Sequence, residues 1–395
     1  MITSLILLGV LLLAVIAVQI GRLTELAEAL RDPEQVQFDR NRLHATLGLV
    51  FLVVFLGGCI GSAYYYSESF PSFAGNMPAS AHGKAIDDLF YLTTFFTGIV
   101  FILCHIALFW FAYKYRGRKG AKAIYMPHDN RLEIVWTALP AIVMTILVIG
   151  GLRTWNDVMA DIKEGWKPGK DYIEIEATGM QFAWILRHPG KDGLLGKRFY
   201  KNITGINSLG QDWTDTKNHD DILTDEIVLP VNKPVRVRIT SRDVLHNFYL
   251  PQFRLKMDAV PGMPTYFVFT PTVTTEQRRK ELSKLESYQE NDANGKPRWS
   301  SFNYELACAE ICGQGHFSMR RVVRIVPQAE YDKWLNDQKP YYLTSIKGTE
   351  NDTYGKVPVT NPSESLEKKE EGKTSDATKN ESKLSKASAP SVTMR

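Results

Sequence analysis

Four side chains that bind soft metal ions fall within twelve residues, at spacings of four, four and three; they are Cys308, Cys312, His316 and Met319. Thiolate, thioether and imidazole donors together select copper over zinc or magnesium. A zinc site would be expected to use cysteine and histidine alone, so the methionine argues against zinc. Because two cysteines on one tight loop can each bridge two metal ions, this spacing predicts a copper site with shared thiolates.

Two glycines and a distant histidine complete the pattern. Gly313 and Gly315 allow the loop to turn sharply enough for His316 and Met319 to return to the same point. A further histidine, His246, follows a strand-like run and is the candidate for the remaining imidazole ligand. The sequence therefore predicts a metal centre built from two separate segments.

A disulfide between Cys308 and Cys312, or a pair of inert thiols, is the alternative interpretation. An oxidising compartment would permit the disulfide. It would leave the imidazole and the thioether of the loop unexplained, and the other cysteines, Cys59 and Cys104, lie in apolar runs. The cysteines do not have the arrangement of a disulfide-rich domain.

The composition sets limits on the class of protein. The chain has 395 residues, of which 44% are hydrophobic. This length exceeds that of one small domain. The net charge of +4 is small, and no basic stripe with interleaved aromatic residues indicates a nucleic-acid partner. The sequence contains no Cys-x-x-Cys-His motif, so we predict no haem attached to this chain.

Apolar runs that are long enough to cross a bilayer, about 20 residues, cover residues 2–20, 45–65, 89–113 and 134–152. The loops between them contain, in order, four arginines, one lysine, and six lysines or arginines. Basic loops stay on the cytoplasmic side. We therefore predict four transmembrane helices in a bacterial inner membrane, with both termini and the large domain after residue 154 in the periplasm.

The N-terminal region has two alternative interpretations. Residues 2–20 could form a signal peptide, but they lack a basic leading region and a small-residue cleavage site. The Leu-Gly-Gly-Cys sequence that ends at Cys59 is similar to a lipoprotein cleavage box, yet cleavage there would remove 58 residues, far more than a usual signal. We therefore favour two retained helices.

Short runs of alternating apolar and polar residues dominate the second half of the chain; they cover residues 172–178, 182–188, 222–229, 235–240, 265–270 and 320–326. Because turn residues separate these runs, the pattern predicts a β-sandwich. The polar stretches 191–226 and 274–291 look inserted, and the second has helical spacing. Residues 329–338 are predicted to form a closing helix. The segment from 340 to 395 is rich in Lys, Glu and Ser and is predicted to be a disordered tail.

Three motifs resemble those of subunit II of the haem–copper cytochrome c oxidases; they are Asp243-Val-Leu-His246, Lys256-Met-Asp258-Ala-Val-Pro261-Gly262 and Cys308-x-Glu310-x-Cys312-x-x-x-His316-x-x-Met319. The resemblance covers residues 87 to 326. It implies a transmembrane helix hairpin followed by a periplasmic cupredoxin-like Greek-key β-sandwich. The implied regions are an additional helix pair at 1–66, the family's hairpin at 87–155, the copper domain at 156–339 and the tail at 340–395.

The resemblance also implies the ligands of a binuclear copper centre, CuA, which are His246, Cys308, Cys312, His316 and Met319. Both thiolates would bridge the two coppers, each imidazole would bind one copper, and the thioether would be a weak ligand that tunes the potential. Glu310 would give its backbone carbonyl to the second copper and its side chain to a magnesium ion at the interface with subunit I. The alternative for Glu310 is a carboxylate in solvent.

The implied function is that of the electron-accepting subunit of a proton-pumping cytochrome c oxidase. Electrons from a c-type cytochrome, or from a haem domain of a neighbouring respiratory complex, would pass through CuA to the haem of subunit I, where oxygen is reduced to water. The implied partners are subunit I, other oxidase subunits, the electron donor and the lipid bilayer.

Three polar residues outside the copper loop have an implied or candidate role. Glu133 resembles a residue of the family at the mouth of a proton pathway into subunit I. Asp258 resembles a residue of the family that faces subunit I. The alternatives are a helix-start carboxylate for Glu133 and a turn-capping residue for Asp258. His105 lies inside the third apolar run, where ionisable groups are costly and are candidates for a functional role. A neutral imidazole hydrogen-bonded to a partner subunit is the favoured interpretation.

Several positions depart from the family pattern. The stretch Gly-His-Gln-Trp-x-Trp appears as Gly-Met-Gln-Phe182-Ala-Trp184, so Phe182 replaces the tryptophan that receives the electron, and Trp184 is the remaining candidate. Arg242 stands where an acidic docking residue is common, and Met263 replaces an arginine. We therefore expect the acidic stretch 212–226 to steer a basic donor. The alternatives are a solvated loop and a segment that packs on another subunit.

Other protein classes fit the sequence less well. Subunit II of a quinol oxidase shares the fold but lacks the cysteine ligands, and nitrous oxide reductase has a similar copper loop but needs a propeller domain for which this chain has no room. A membrane-anchored copper chaperone is the remaining alternative. It would not need Glu133 or Asp258.

Overall fold

Long helices form the first part of the structure, a computed structural model that describes residues 2–67 and 78–354; they are α1 (Ile2–Ala29), α2 (Pro33–Tyr65), α3 (Gly83–Lys114) and α4 (Asn130–Val158). The carboxylates of Asp32 and Asp129 cap α2 and α4 by accepting hydrogen bonds from main-chain N–H groups. Within the described ranges, α2, α3 and α4 are long and apolar enough to cross a membrane. The predicted runs are therefore confirmed as long apolar helices in these three cases, and the use of α1 as a fourth span stays a prediction.

Helix α2 packs along α3. A Cβ atom on Gly48 of α2 would lie 3.2 Å from the ring of Phe109, so the glycine permits close approach of the helices. Phe55 of α2 stacks on His105 of α3 with ring centroids 5.5 Å apart. The Nδ1–H group of His105 donates to the backbone oxygen of Phe101 at 2.7 Å. The imidazole is therefore hydrogen-bonded within its own helix and contacts a ring of α2, and its bond to a partner subunit stays a prediction.

After α4, the described residues form ten strands, which are β1 (Ile173–Met180), β2 (Ala183–His188), β3 (Ile222–Thr224), β4 (Glu226–Pro230), β5 (Val235–Ser241), β6 (His246–Leu250), β7 (Leu255–Ala259), β8 (Thr265–Phe269), β9 (Tyr304–Cys308) and β10 (Arg321–Val326). One sheet has the order β3-β2-β1-β5-β8 and the other β4-β10-β9-β6-β7. Trp184 of the first sheet contacts Phe248 of the second, with ring centroids 5.7 Å apart. The two sheets therefore pack against each other, as the alternating runs predicted.

Three strands escaped prediction, and one predicted strand is divided. Strands β6, β7 and β9 have only five residues each, and β6 is almost wholly buried, so it shows no alternation. The predicted strand at 222–229 is wrong as a single element, because β3 and β4 belong to different sheets. Helices α5 (Thr275–Leu282), α6 (Arg298–Ser301) and α7 (Gln328–Asp337) complete the domain, and α5 and α7 match the predicted helical segments.

The segment before α3 is hydrogen-bonded into the β-sheet domain. The N–H group of Ala79 donates to the backbone oxygen of Gln252 at 2.8 Å, and the Ser80 hydroxyl donates to the oxygen of Phe253 at 2.6 Å. The guanidinium of Arg254 donates from Nε and from a terminal nitrogen to both carboxylate oxygens of Asp87 in α3, at 2.8 and 3.1 Å. These contacts fix the start of α3 to the domain that carries the metal-binding residues.

Residues 187–223 form a second compact unit with the described segment from 335 onward. A helical turn at Tyr342–Ile346 buries both of its terminal residues beside Trp213, and the hydroxyl of Tyr342 donates to Asp352 at 3.0 Å. The predicted disordered tail is therefore wrong for residues 340–354, because apolar side chains in this segment have a core to join. The rest of the predicted tail, 355–395, lies outside the described residues.

Candidate metal centre

Pairing of β6 with β9 brings the two predicted segments together. Phe248 of β6 lies opposite Cys308 of β9 in the antiparallel register, and the N–H group of Ala309 donates to the backbone oxygen of Asn247 at 3.2 Å. The Sγ atom of Cys308 consequently lies 3.8 Å from Nδ1 of His246. The sheet, rather than the loop, sets this half of the centre.

The other half is formed by the ligand loop, which we define as residues 308–319. The Sγ atom of Cys312 lies 3.6 Å from Nδ1 of His316 and 3.4 Å from Sδ of Met319. A short helical turn starting at His316, closed by the hydrogen bond from the Met319 N–H group to the His316 oxygen, returns the thioether to the thiol. Ligand atoms of His246, Cys308 and Cys312 all lie within 4.8 Å of one another.

The donor set fits copper. The centre offers two thiols, two imidazole nitrogens and a thioether, all of which are soft or intermediate donors. The backbone oxygen of Glu310 adds a harder donor 3.2 Å from Sγ of Cys308. His246 and Met319 are fully buried, and both cysteines are buried free thiols. The disulfide interpretation is not supported, and the cluster is compatible with copper binding.

Burial makes the Cys312 thiol a poor acid in the metal-free chain. Burial, together with the neighbouring Cys308, raises the pKa of the Cys312 thiol to about 11. Metal binding requires thiolates, so a bound cation would have to displace these protons. Copper affinity is therefore expected to increase with pH.

Asp243 orients the buried histidine. Nε2–H of His246 donates to Oδ1 of Asp243 at 2.9 Å, which leaves Nδ1 free to face Cys308. Burial raises the pKa of the Asp243 carboxyl, but hydrogen bonds from the Gln181 N–H group and from His246 outweigh it, and the pKa lies below its usual value. Sequence reasoning gave Asp243 no role, although its place three residues before a ligand histidine was a usable signal.

The predicted aromatic residue Trp184 lies beside the centre. Its ring centroid is 6.1 Å from that of His246, and the side chain is 2% exposed. Phe182, which stands in place of the family's tryptophan, is 38% exposed. The structure thus brings Trp184 next to one predicted ligand and leaves Phe182 partly accessible at the surface.

Glu133 is not part of this cluster. It lies in the first turn of α4, where negative charge is favoured by the helix dipole, and its Oε1 is 3.8 Å from Nδ1 of His128. The side chain of Glu310 is exposed in the isolated chain. The predicted roles of these two carboxylates in proton transfer and magnesium binding stay predictions.

Several carboxylates of the acidic stretch 212–226 have internal partners, and this contradicts the steering hypothesis only for Asp221. Asp221 is fully buried and pairs with Arg187 at 3.1 Å. Asp220 accepts a hydrogen bond from the N–H group of Asp192 at 2.9 Å. At the end of the stretch, Asp225 is exposed and Glu226 pairs with Arg324. A docking role is wrong for Asp221, because a buried, paired carboxylate presents no charge to a donor.

The chain is similar to known oxidase subunits. The profile of the periplasmic domain of cytochrome C oxidase subunit II matches residues 173–275, and that of the transmembrane domain matches residues 75–153. The alternative cytochrome c oxidase subunit 2 of Bradyrhizobium diazoefficiens is 30% identical over 266 residues, which cover 67% of this chain and 84% of the relative. The cytochrome c oxidase subunit 2 of Synechocystis is 27% identical over 70% of this chain and 79% of its own length.

Among solved structures, the periplasmic domain of subunit II of cytochrome oxidase of Bradyrhizobium japonicum is 25% identical; the match covers 43% of this chain and 95% of that structure, with a TM-score of 0.27. A β-sheet domain that carries a His/Cys/Cys cluster and follows helices apolar enough to cross a membrane defines the class as a membrane protein with a candidate metal-binding domain. The chain belongs to the cytochrome c oxidase subunit II family and is thus a subunit of a terminal oxidase with a periplasmic domain. The residues that match the periplasmic-domain profile end at 275, before the ligand loop.

Proposed function

We propose that this chain is the electron-accepting subunit of a proton-pumping cytochrome c oxidase and holds a binuclear CuA centre. The observation that carries the proposal is the pairing of donors: each of two neighbouring thiols has its own imidazole Nδ1 within 4 Å, at 3.8 and 3.6 Å. One half of the set adds the Met319 thioether and the other the Glu310 carbonyl oxygen. A single metal ion would not need two such halves.

When bound, a copper pair would supply one-electron chemistry between a c-type cytochrome and the haem of subunit I. The chain's own residues prepare the site for it. Cys308 and Cys312 give up their protons, Asp243 keeps His246 in the tautomer that exposes Nδ1, and burial of Met319 excludes water. A rigid donor set limits rearrangement on a change of charge.

Exposed apolar side chains support a partner surface beside the centre. Ile311 lies between the two cysteines and is 86% exposed, and Phe317, next to His316, is 80% exposed. Large exposed apolar groups next to a functional site indicate a surface that another protein covers. We assign this surface to subunit I, where Glu310 would contribute to a magnesium site. The electron donor would be a c-type cytochrome.

The proposed arrangement in the membrane follows the sequence prediction. Helices α1 and α2 would form the additional pair in region 1–66, and α3 and α4 would form the family's hairpin in region 87–155. The copper domain at 156–339 would be a cupredoxin-like Greek-key sandwich. It would lie in the periplasm, and the helices would lie in a bacterial inner membrane. The basic loops at 22–42 and 114–131 support this orientation. Glu133 would then lie at the cytoplasmic side, at the mouth of a proton pathway into subunit I.

Metal analysis of the full chain, purified in mild detergent after growth with copper, tests the proposal. We expect two coppers per chain and an electron paramagnetic resonance spectrum in which one unpaired electron is shared by both coppers. A single Cu(I) without a signal would instead indicate a copper chaperone. One copper per chain, or zinc under copper-replete conditions, would also contradict the proposed centre.

A further inference from the structure

The turn between β1 and β2 lies against both segments of the metal centre, although it supplies none of the proposed ligands. The main-chain N–H group of Gln181, in this turn, donates to Oδ2 of Asp243 at 2.7 Å. The other carboxylate oxygen of Asp243 accepts from Nε2 of His246 at 2.9 Å. The backbone of Gln181 therefore supports the orientation of the buried imidazole.

The side chain of the same residue reaches the ligand loop. Nε2–H of Gln181 donates to the backbone oxygen of Cys312 at 2.5 Å, which joins residues 131 positions apart. A second long-range bond lies at the start of the loop, from the N–H group of Ala309 to the oxygen of Asn247, whereas after Cys312 the backbone hydrogen bonds are local, such as His316 to Gly313 and Ser318 to Gly315. The amide of Gln181 thus connects the middle of the loop to a different part of the fold.

The next residue, Phe182, covers the same loop. A Cβ atom on Gly313 would lie 2.8 Å from the Phe182 ring, and one on Gly315 would lie 2.4 Å from it. Gly313 also has a φ of +132°, which side chains rarely adopt. The absence of side chains at these two glycines therefore allows the ring to lie directly on the loop.

We propose that Gln181 is a positioning residue that holds the ligand loop closed against the His246 segment, an inference that rests on the function proposed above. One residue contacts both sides: its backbone holds the carboxylate that orients His246, and its side chain holds Cys312. Loss of the side-chain hydrogen bond alone should let the Cys312 half of the centre open more often. The β1–β2 turn would then control how firmly the metal centre is retained.

The variant Gln181→Met tests this proposal, because it keeps the length of the side chain and the main-chain N–H group but removes the amide donor. In the metal-free full chain in detergent, we expect amide hydrogen exchange of residues 309–316 to be about fivefold faster, the effect of losing one neutral hydrogen bond. In the copper-loaded chain, we expect copper release to a chelator to accelerate by a similar factor, with an altered copper hyperfine pattern. The matched control is Gln328→Met, since Gln328 donates to Asp332 of its own helix, and neither rate should change.

Unchanged exchange, release and hyperfine pattern in Gln181→Met would overturn the proposal. A general loss of stability of the metal-free chain, without a local change in hydrogen exchange at residues 309–316, would also overturn it. If Gln181→Met does not fold, Gln181→Glu, which has the same shape but cannot donate when ionised, gives the same comparison. A wild-type chain that holds no copper pair would refute the proposed function, and the exchange experiment on the metal-free chain would still decide whether Gln181 closes the loop.

Discussion

Replacement of Cys312 by serine is expected to eliminate the copper pair. Cys312 is the thiol that lies within 3.6 Å of His316 Nδ1 and 3.4 Å of Met319 Sδ, so its loss removes one of the two proposed bridging thiolates, the one nearest to these two donors. A serine hydroxyl is a hard donor that does not ionise near neutral pH and is a poor ligand for copper. We expect at most one copper per chain and no spectrum from a shared unpaired electron.

The matched control is Cys104→Ser. Cys104 is an exposed free cysteine in α3, away from the cluster of ligand atoms. We expect this variant to keep the wild-type copper content and spectrum, measured by elemental analysis and electron paramagnetic resonance on the same preparation. A copper pair that survives in Cys312→Ser would contradict the proposed bridging role of the thiol.

Replacement of Arg187 by methionine is expected to destabilise the unit formed by residues 187–223 and the segment from 335. Arg187 is 1% exposed and donates to Asp221, Asn218 and the backbone oxygen of Gly196 at distances of 2.9–3.1 Å. Removal of its charge would leave the buried Asp221 carboxylate without its cation, which typically costs about 3–5 kcal/mol. Thermal unfolding in detergent and limited proteolysis of this unit would measure the loss.

Two further variants separate this explanation from a surface role. The double variant Arg187→Met with Asp221→Leu removes both charges and should recover much of the stability, because an apolar pair can replace a buried ion pair. The exposed Asp225→Asn should leave stability unchanged. If Arg187→Met is as stable as the wild type, the buried pair does not have the structural role that its contacts indicate.

The ligand loop could be predicted because its candidate donors lie close together in the sequence. Spacing and donor type alone brought Cys308, Cys312, His316 and Met319 together, and the structure keeps Cys312 near both His316 and Met319. His246 is distant in the chain, and its contact with Cys308 depends on the pairing of β6 with β9, two short strands that were not predicted. The support from Gln181 depends on a contact across 131 residues and had no signal in the sequence.

Composition misled where a polar segment has buried partners. The acidic stretch 212–226 predicted a charged surface, but the partner of Asp221 is Arg187, a residue 34 positions earlier. The segment after residue 340 is rich in Lys, Glu and Ser overall, yet Tyr342 and Ile346 are buried beside Trp213. In both cases a few contacts distant in sequence decide the structure, and average composition does not report them.

The most direct measurement of the proposed function is stopped-flow reduction of the purified intact oxidase by a reduced c-type cytochrome, with the copper absorption and the subunit I haem followed together. We expect the copper absorption to change first and the haem to follow. In Cys312→Ser, haem reduction should become slower by orders of magnitude, and in Cys104→Ser it should be unchanged. Haem reduction that precedes any change at copper, or that proceeds at the wild-type rate in Cys312→Ser, would contradict electron transfer through this centre.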